Sequence, residues 1–212
     1  MADKKAATKH ALPEGRLINH ALYVKDQYNE QSKPRYTVEI AYPKGVLNDF
    51  YNTCLDFAVE TWGKGADADD SGLIVPIHDG EVMAKKREKK GKPGDAYNGM
   101  EVIRASTAFN LHGEDGPGGV QVFDHDVNLI DPVNSASVYQ GCMGIVGVTL
   151  GAYQDEKTGN NAITLYLTAF QKTGDGERLV AVSDHSSLFK VVGGTDSEDA
   201  ETAPVERAKR KG

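Results

Sequence analysis

Two groups of adjacent residues carry side chains that could support catalysis or bind a metal ion. Asp184-His185-Ser186 contains the three residue types of a catalytic triad, and Asp124-His125-Asp126 contains metal-ligand types. A triad is assembled in space around a positioned nucleophile, whereas adjacent residues point in different directions. A zinc site needs further His or Cys ligands at suitable spacing, and none follows His125. Both groups are therefore predicted to be polar turns, the second one leaving a strand at 120–123.

Other residues that could act as ligands or phosphate contacts are equally uninformative. Gly116-Pro117-Gly118-Gly119 has the glycines of a phosphate-binding loop but lacks the Lys-Ser/Thr that completes one. Cys54 and Cys142 cannot form a disulfide framework, and no histidine cluster accompanies them. We therefore predict that the protein is not an enzyme and uses no metal or cofactor.

The sequence contains a dense basic run, although the chain as a whole is acidic. There are 24 Lys and Arg against 31 Asp and Glu, a net charge of -7. Binding depends on local potential rather than on this total. Six of the basic residues fall between positions 85 and 92: Lys85, Lys86, Arg87, Lys89, Lys90 and Lys92. This run, bounded by Gly91, Pro93 and Gly94, is either a mobile phosphate-binding connection or simply solvated surface.

Alternation in the segment 162–170 predicts a strand with two different faces. Apolar residues occupy one parity, whereas Tyr166 and Phe170 share the other with threonines. Aromatic rings on the outer face of a barrel can stack on unpaired bases. The alternative is that the helix or the N-terminal arm covers this face.

Cations and further aromatic residues accompany two other predicted strands. Arg104 lies on the polar face of a strand beginning at Met100. The segment 28–36 interleaves Tyr28, Lys33, Arg35 and Tyr36. Such a mixture suits the bases and phosphates of a single strand, although for Tyr36 taken alone the position favours the first core residue of its strand.

The elements that must position these residues are mainly strands. A period of two runs through 36–42, and strands are also predicted at 16–24, 100–111, 120–123, 138–153 and 162–170. Between the strands at 36–42 and 100–111, apolar residues at three- and four-residue steps predict a helix at about 46–62. Residues 1–15 are expected to form a flexible arm, and residues 193–212 a disordered charged tail.

The length of 212 residues fits one domain, which we place at 16–192. No apolar run is long enough to span a membrane, and the N-terminus lacks the apolar region of a signal peptide. A soluble, cytosolic protein is therefore expected. Strands that do not alternate with helices favour a mainly β fold, a five- or six-stranded barrel or a sandwich with one helix.

Parts of the sequence resemble tailed-phage single-stranded DNA-binding proteins. The opening strand at 16–24, Lys33-Pro34-Arg35-Tyr36-Thr37-Val38-Glu39-Ile40 and the helix carry the first part of the likeness. Val138-Tyr139-Gln140-Gly141-Cys142, the segment 162–170 and Asp175-Gly176-Glu177-Arg178-Leu179 resemble a phage family first catalogued as a domain of unknown function. The similarity spans roughly residues 16–180.

This resemblance implies an OB-fold barrel with one helix inserted after the second strand. It also implies a protein that coats exposed single strands during phage DNA replication or recombination, in the cytoplasm of the infected bacterial host. Phage or host replication and recombination proteins are the further partners it implies. The alternative from another class is a β-rich virion structural protein without affinity for nucleic acid. Proteins of this kind often end in acidic residues, whereas here the acidic block is followed by Arg207, Lys209, Arg210 and Lys211.

Overall fold

The computed structural model describes residues 8–27, 30–109, 111 and 119–179. Within them the chain forms one eight-stranded sheet with two α-helices and two short 3₁₀ helices. In chain order the elements are β1 (Lys9–Ala11), β2 (Gly15–Asp26), β3 (Arg35–Pro43), α1 (Asn48–Trp62), β4 (Ile77–Asp79), α2 (Gly80–Glu88), a 3₁₀ helix (Asp95–Tyr97), β5 (Met100–Thr107), β6 (Gln121–Phe123), a 3₁₀ helix (Pro132–Ser137), β7 (Met143–Gln154) and β8 (Asn161–Gly174). The mainly β prediction is confirmed. No helix in these ranges has the length and apolarity needed to cross a membrane.

The sheet pairs strands that are distant in sequence. β3 lies between β2 and β5 in antiparallel pairings, and β7 and β8 form a long antiparallel hairpin. β5 meets β8 in parallel where Ser106 faces Tyr166, and β7 also pairs with β2 at Gly15 and Arg16. Three short strands add to these: β1 on β7, β4 on β5 and β6 on β8.

The main hydrophobic core lies between the inner faces of these strands and α1. Alternate residues such as Val38, Ile103 and Leu165 are almost fully buried there. The predicted helical face packs on this core through Phe50, Cys54 and Ala58, as three- and four-residue spacing requires.

A second, smaller core explains why β3 is buried on both faces. Ala84 of α2 and Tyr97 of the first 3₁₀ helix pack against Ile18, Ala41 and Val102 on the outer face of the sheet. The Asp79 carboxylate caps α2 by accepting hydrogen bonds from the backbone N–H groups of Glu81 and Val82.

Two expectations about organisation are corrected here. The arm at 1–15 is not loose throughout, because Lys9–Ala11 pairs with β7 and Leu12 is buried. Because β1 is counted as a strand, the predicted helix α1 follows the third strand and not the second. Among the long strands it still follows the second, β3. The segment 85–92, expected to be a connection, begins as the last turn of α2. This helix forms because its apolar residues Met83 and Ala84 pack in the second core.

Candidate nucleic-acid interface

A cleft of about 510 Å³ opens on the outer face of the sheet beside the second core. Its walls come from the β2–β3 connection, the outer faces of β3 and β5, the segment before β4, and the β7–β8 hairpin. The lining residues are Asp26, Ser32, Lys33, Arg35, Thr37, Ile74, Val75, Pro76, His78, Arg104, Ser106, Tyr153, Ile163, Thr164 and Leu165.

The cleft brings together three of the cations that the sequence marked. Lys33 reaches it from the β2–β3 connection, Arg35 from the start of β3, and Arg104 from β5. The Arg35 Nη1 donates a long hydrogen bond of 3.5 Å to Ser106 Oγ. Asp26 is the one carboxylate among the lining residues, so the cleft carries more positive than negative charge.

Arg104 is held in place by a buried carboxylate. Its Nε lies 3.6 Å from Glu39 Oε1, and the hydroxyl of Tyr97 donates to Glu39 Oε2 at 3.0 Å. Burial, and then the negative charge of Glu39, raise the pKa of Tyr97, so it stays a neutral donor. The Arg104 guanidinium is oriented but partly neutralised, whereas the Arg35 guanidinium donates to the neutral hydroxyl of Ser106.

His78 links the cleft to the basic run. Desolvation lowers the pKa of its imidazole, as do the charges of Lys86 and Arg104, while Glu39 opposes them. His78 is therefore neutral near pH 7. Lys86 of the basic run therefore lies close enough to His78 for its charge to act on the imidazole.

The rest of the basic run divides into exposed and structural residues. Lys85, Lys86, Lys89, Lys90 and Lys92 are exposed. Arg87 is half-buried: its Nε donates to the carbonyl of Pro93 at 3.1 Å, and its guanidinium lies 5.0 Å from the centroid of the Tyr97 ring. Arg87 therefore anchors the turn after α2, and its role as a phosphate contact stays a prediction.

Two half-exposed tyrosines border the cleft. Tyr166 is 45% exposed and lies opposite Ser106 in the register of β5 and β8. Tyr153, which the sequence reasoning missed, is 48% exposed and lines the cleft directly. The signal was available, because Tyr153 continues the outward parity of Thr149 and Gly151 in β7.

Two other predicted aromatic residues, Phe170 and Tyr36, do not form part of this surface. Phe170 is fully buried. A register shift between Gly147 and Val148, in the pairing of β7 with β8, exchanges the two faces at the end of β8, so Phe170 points into the core. The prediction that Phe170 shares a face with Tyr166 is therefore wrong. Tyr36 is 6% exposed and belongs to the core, as its alternative assignment proposed. Tyr28 lies outside the described residues.

Of the two groups first considered for catalysis or metal binding, Asp124-His125-Asp126 forms a turn. Asp124 Oδ1 accepts hydrogen bonds from the backbone N–H groups of Asp126 and Asn128, which confirms the predicted turn after 120–123. Those bonds lower the pKa of Asp124, the one from Asn128 most. The described ranges hold no cluster of three or more metal-ligating side chains. Asp184-His185-Ser186 lies outside them.

Cations and half-exposed aromatic rings along one groove are the features with which proteins bind a single strand of nucleic acid. A sequence profile of the family described as "Enterobacter phage Enc34, ssDNA-binding protein" matches residues 8–202. The chain belongs to this family. No curated protein sequence matches it.

Solved structures with a similar fold include proteins of two phages. The single-stranded DNA-binding protein from bacteriophage Enc34 superposes with a TM-score of 0.56 at 16% identity, over 84% of this chain and 88% of that chain. The same protein in complex with ssDNA gives 0.56 at 19% identity, over 81% and 89%. The gp2.5 single-stranded DNA-binding protein of bacteriophage T7 gives 0.54 at 13% identity, over 91% and 100%. At such identities the likeness shows the fold.

Proposed function

We propose that this protein binds single-stranded DNA, largely without regard to sequence, and coats exposed strands during phage DNA replication or recombination. The observation that carries the proposal is the cleft, where Lys33, Arg35 and Arg104 converge beside Tyr153. Membership of a phage single-stranded DNA-binding family supports it. The function is binding rather than catalysis.

We further propose that the sheet is an OB-fold barrel. An OB-fold is a five-stranded, partly open barrel that binds oligonucleotides on the face of its second and third strands. The pairings support this, since β2, β3, β5, β8 and β7 are successive neighbours and β7 returns to β2. The face of the second and third strands then corresponds to β3 and β5, which contribute Arg35 and Arg104 to the cleft.

A single strand follows the cleft with its phosphates toward the cations and its bases toward the tyrosines. Lys33, Arg35 and Arg104 contact phosphates, and the path continues past His78 to the exposed lysines in the last turn of α2 and in the turn after it. Tyr166 and Tyr153 offer ring faces to the bases, and stacking tolerates every base because each has a π-face. Tyr28 remains a predicted contact in the β2–β3 connection.

The wider setting follows from the family. We place the protein in the cytoplasm of the infected bacterial host, alongside phage or host replication and recombination enzymes. The DNA-binding domain, predicted at 16–192, then also includes β1 at Lys9–Ala11, which pairs with β7.

The test is a titration of a labelled oligo-dT of about 30 nucleotides, longer than the roughly 4–16 nucleotides one OB-fold covers. We expect saturable binding by the full chain and a marked loss for the double variant Lys33→Gln, Arg35→Gln. The matched control is Lys64→Gln, an exposed lysine beyond α1. A folded chain with no affinity for the oligonucleotide would favour the virion structural alternative.

A further inference from the structure

Gly151 of β7 lies directly beneath the ring of Tyr166. The β7–β8 register pairs Thr149 with Tyr166 and Gly151 with Thr164, so the tyrosine side chain reaches diagonally across to Gly151. A Cβ atom at position 151 would overlap Tyr166 Cε2, and would lie 3.1 Å from both Tyr166 Cδ2 and Thr164 Cγ2. The ring therefore rests against the bare backbone of Gly151, and a residue with a Cβ atom at this position would displace it.

This contact leaves the outer side of the ring open. Tyr166 is 45% exposed even though its inner edge is packed on β7. Its neighbours Thr164 and Ser106 both line the cleft, so the open side borders the proposed path of the strand. A ring that is already held in place loses less conformational freedom when a base stacks on it.

We propose that Gly151 is a positioning residue for DNA binding, which holds the Tyr166 ring against the sheet so that a nucleobase can stack on it. The inference rests on the proposed function. The competing explanation is that the ring only covers a strand glycine, which stabilises a sheet without any ligand.

A double-mutant cycle separates the two explanations. Gly151→Ala, Tyr166→Ala and the double variant are titrated with oligo-dT beside the unaltered chain. We expect Gly151→Ala to weaken binding by about 5- to 140-fold, the loss of one stacked base. In the Tyr166→Ala background the same change should alter affinity by less than about twofold, because the ring it displaces is gone.

Photo-crosslinking adds a readout that sheet stability alone would not move. An oligo-dT carrying one 5-iododeoxyuridine should crosslink to Tyr166 in the unaltered chain, and Gly151→Ala should abolish that product. The matched control is Gly147→Ala on the same face of β7, where a Cβ would meet the Thr168 hydroxyl at 2.8 Å instead of a ring. The control should bind and crosslink like the unaltered chain.

A measurement without substitutions covers the case in which Gly151→Ala does not fold. In the free protein, ¹³C relaxation of the tyrosine rings should find Tyr166 more restricted than Tyr153. A Tyr166 ring as mobile as that of Tyr153 would overturn the proposal. So would equal effects of Gly151→Ala in both backgrounds, normal binding by Gly151→Ala, or an equal loss in Gly147→Ala. If the unaltered chain binds no oligonucleotide, the proposed function itself fails.

Discussion

Leu165 and Tyr166 are neighbours in β8 whose side chains leave opposite faces of the sheet. Leu165 is 1% exposed and Tyr166 is 45% exposed. We expect Tyr166→Ala to cost roughly 1–3 kcal/mol of single-strand affinity, the value of one stacked base. Leu165→Ala should instead lower the free energy of unfolding by roughly 2–5 kcal/mol, because it leaves a cavity in the core. Denaturant unfolding beside oligonucleotide titration of both variants measures the contrast.

Phe170 provides a control for this experiment, since it is an aromatic residue of the same strand with no exposed surface. Phe170→Ala should lower the free energy of unfolding by about 3–5 kcal/mol, as for other core aromatics. A Tyr166→Ala variant that unfolds as easily as Phe170→Ala, yet binds DNA normally while folded, would contradict the stacking role.

The same pair of aromatics marks how far single residues can be predicted from the sequence. Alternation within one strand is enough to place Tyr166 outward and Leu165 inward, and it also places Arg104 on the outer face. Phe170 departs from the pattern because the register shift arises between β7 and β8, and pairing across strands is not written in either strand alone. Lys33 and Arg104 lie in one cleft because β3 pairs with β5, and this pairing likewise cannot be read from either strand alone.

Among the elements, the long strands and α1 are predictable because each has a clear period and breakers at its ends. α2 is not, because nine residues with five charges present only Ala84 and Met83 to a core. Its helical state depends on the Asp79 cap and on packing against Tyr97, both of which are visible only in the fold. The β1 pairing is missed for a similar reason, since three residues give no period.

The turn that ends α2 leads to a prediction about the basic run as an element. Replacing its five exposed lysines, 85, 86, 89, 90 and 92, by Ala should weaken DNA binding and reduce its salt dependence without loss of stability. Arg87→Ala should lower the melting temperature instead, because it removes the hydrogen bond to Pro93 and the contact with the Tyr97 ring. Thermal melts and titrations at two salt concentrations distinguish the two variants. Unchanged binding by the lysine variant would mean that the basic run is solvated surface with no role in DNA binding.

For the whole molecule, the net charge of -7 opposes approach to DNA, while the cleft carries a local excess of positive charge. If local phosphate contacts dominate, the logarithm of affinity should fall linearly with the logarithm of salt concentration, by about 0.7 for each phosphate neutralised on a single strand. Lys33→Gln and Lys64→Gln change the net charge equally, but only Lys33 lines the cleft.

We therefore expect Lys33→Gln to make the salt slope shallower by about 0.7 and Lys64→Gln to leave it unchanged. The measurement is a fluorescence anisotropy titration of oligo-dT by each variant across a series of salt concentrations. An equal change in both slopes would mean that the total charge governs binding. Affinity that does not respond to salt would mean that phosphates contribute little, and binding would then have to rest on stacking at Tyr166 and Tyr153.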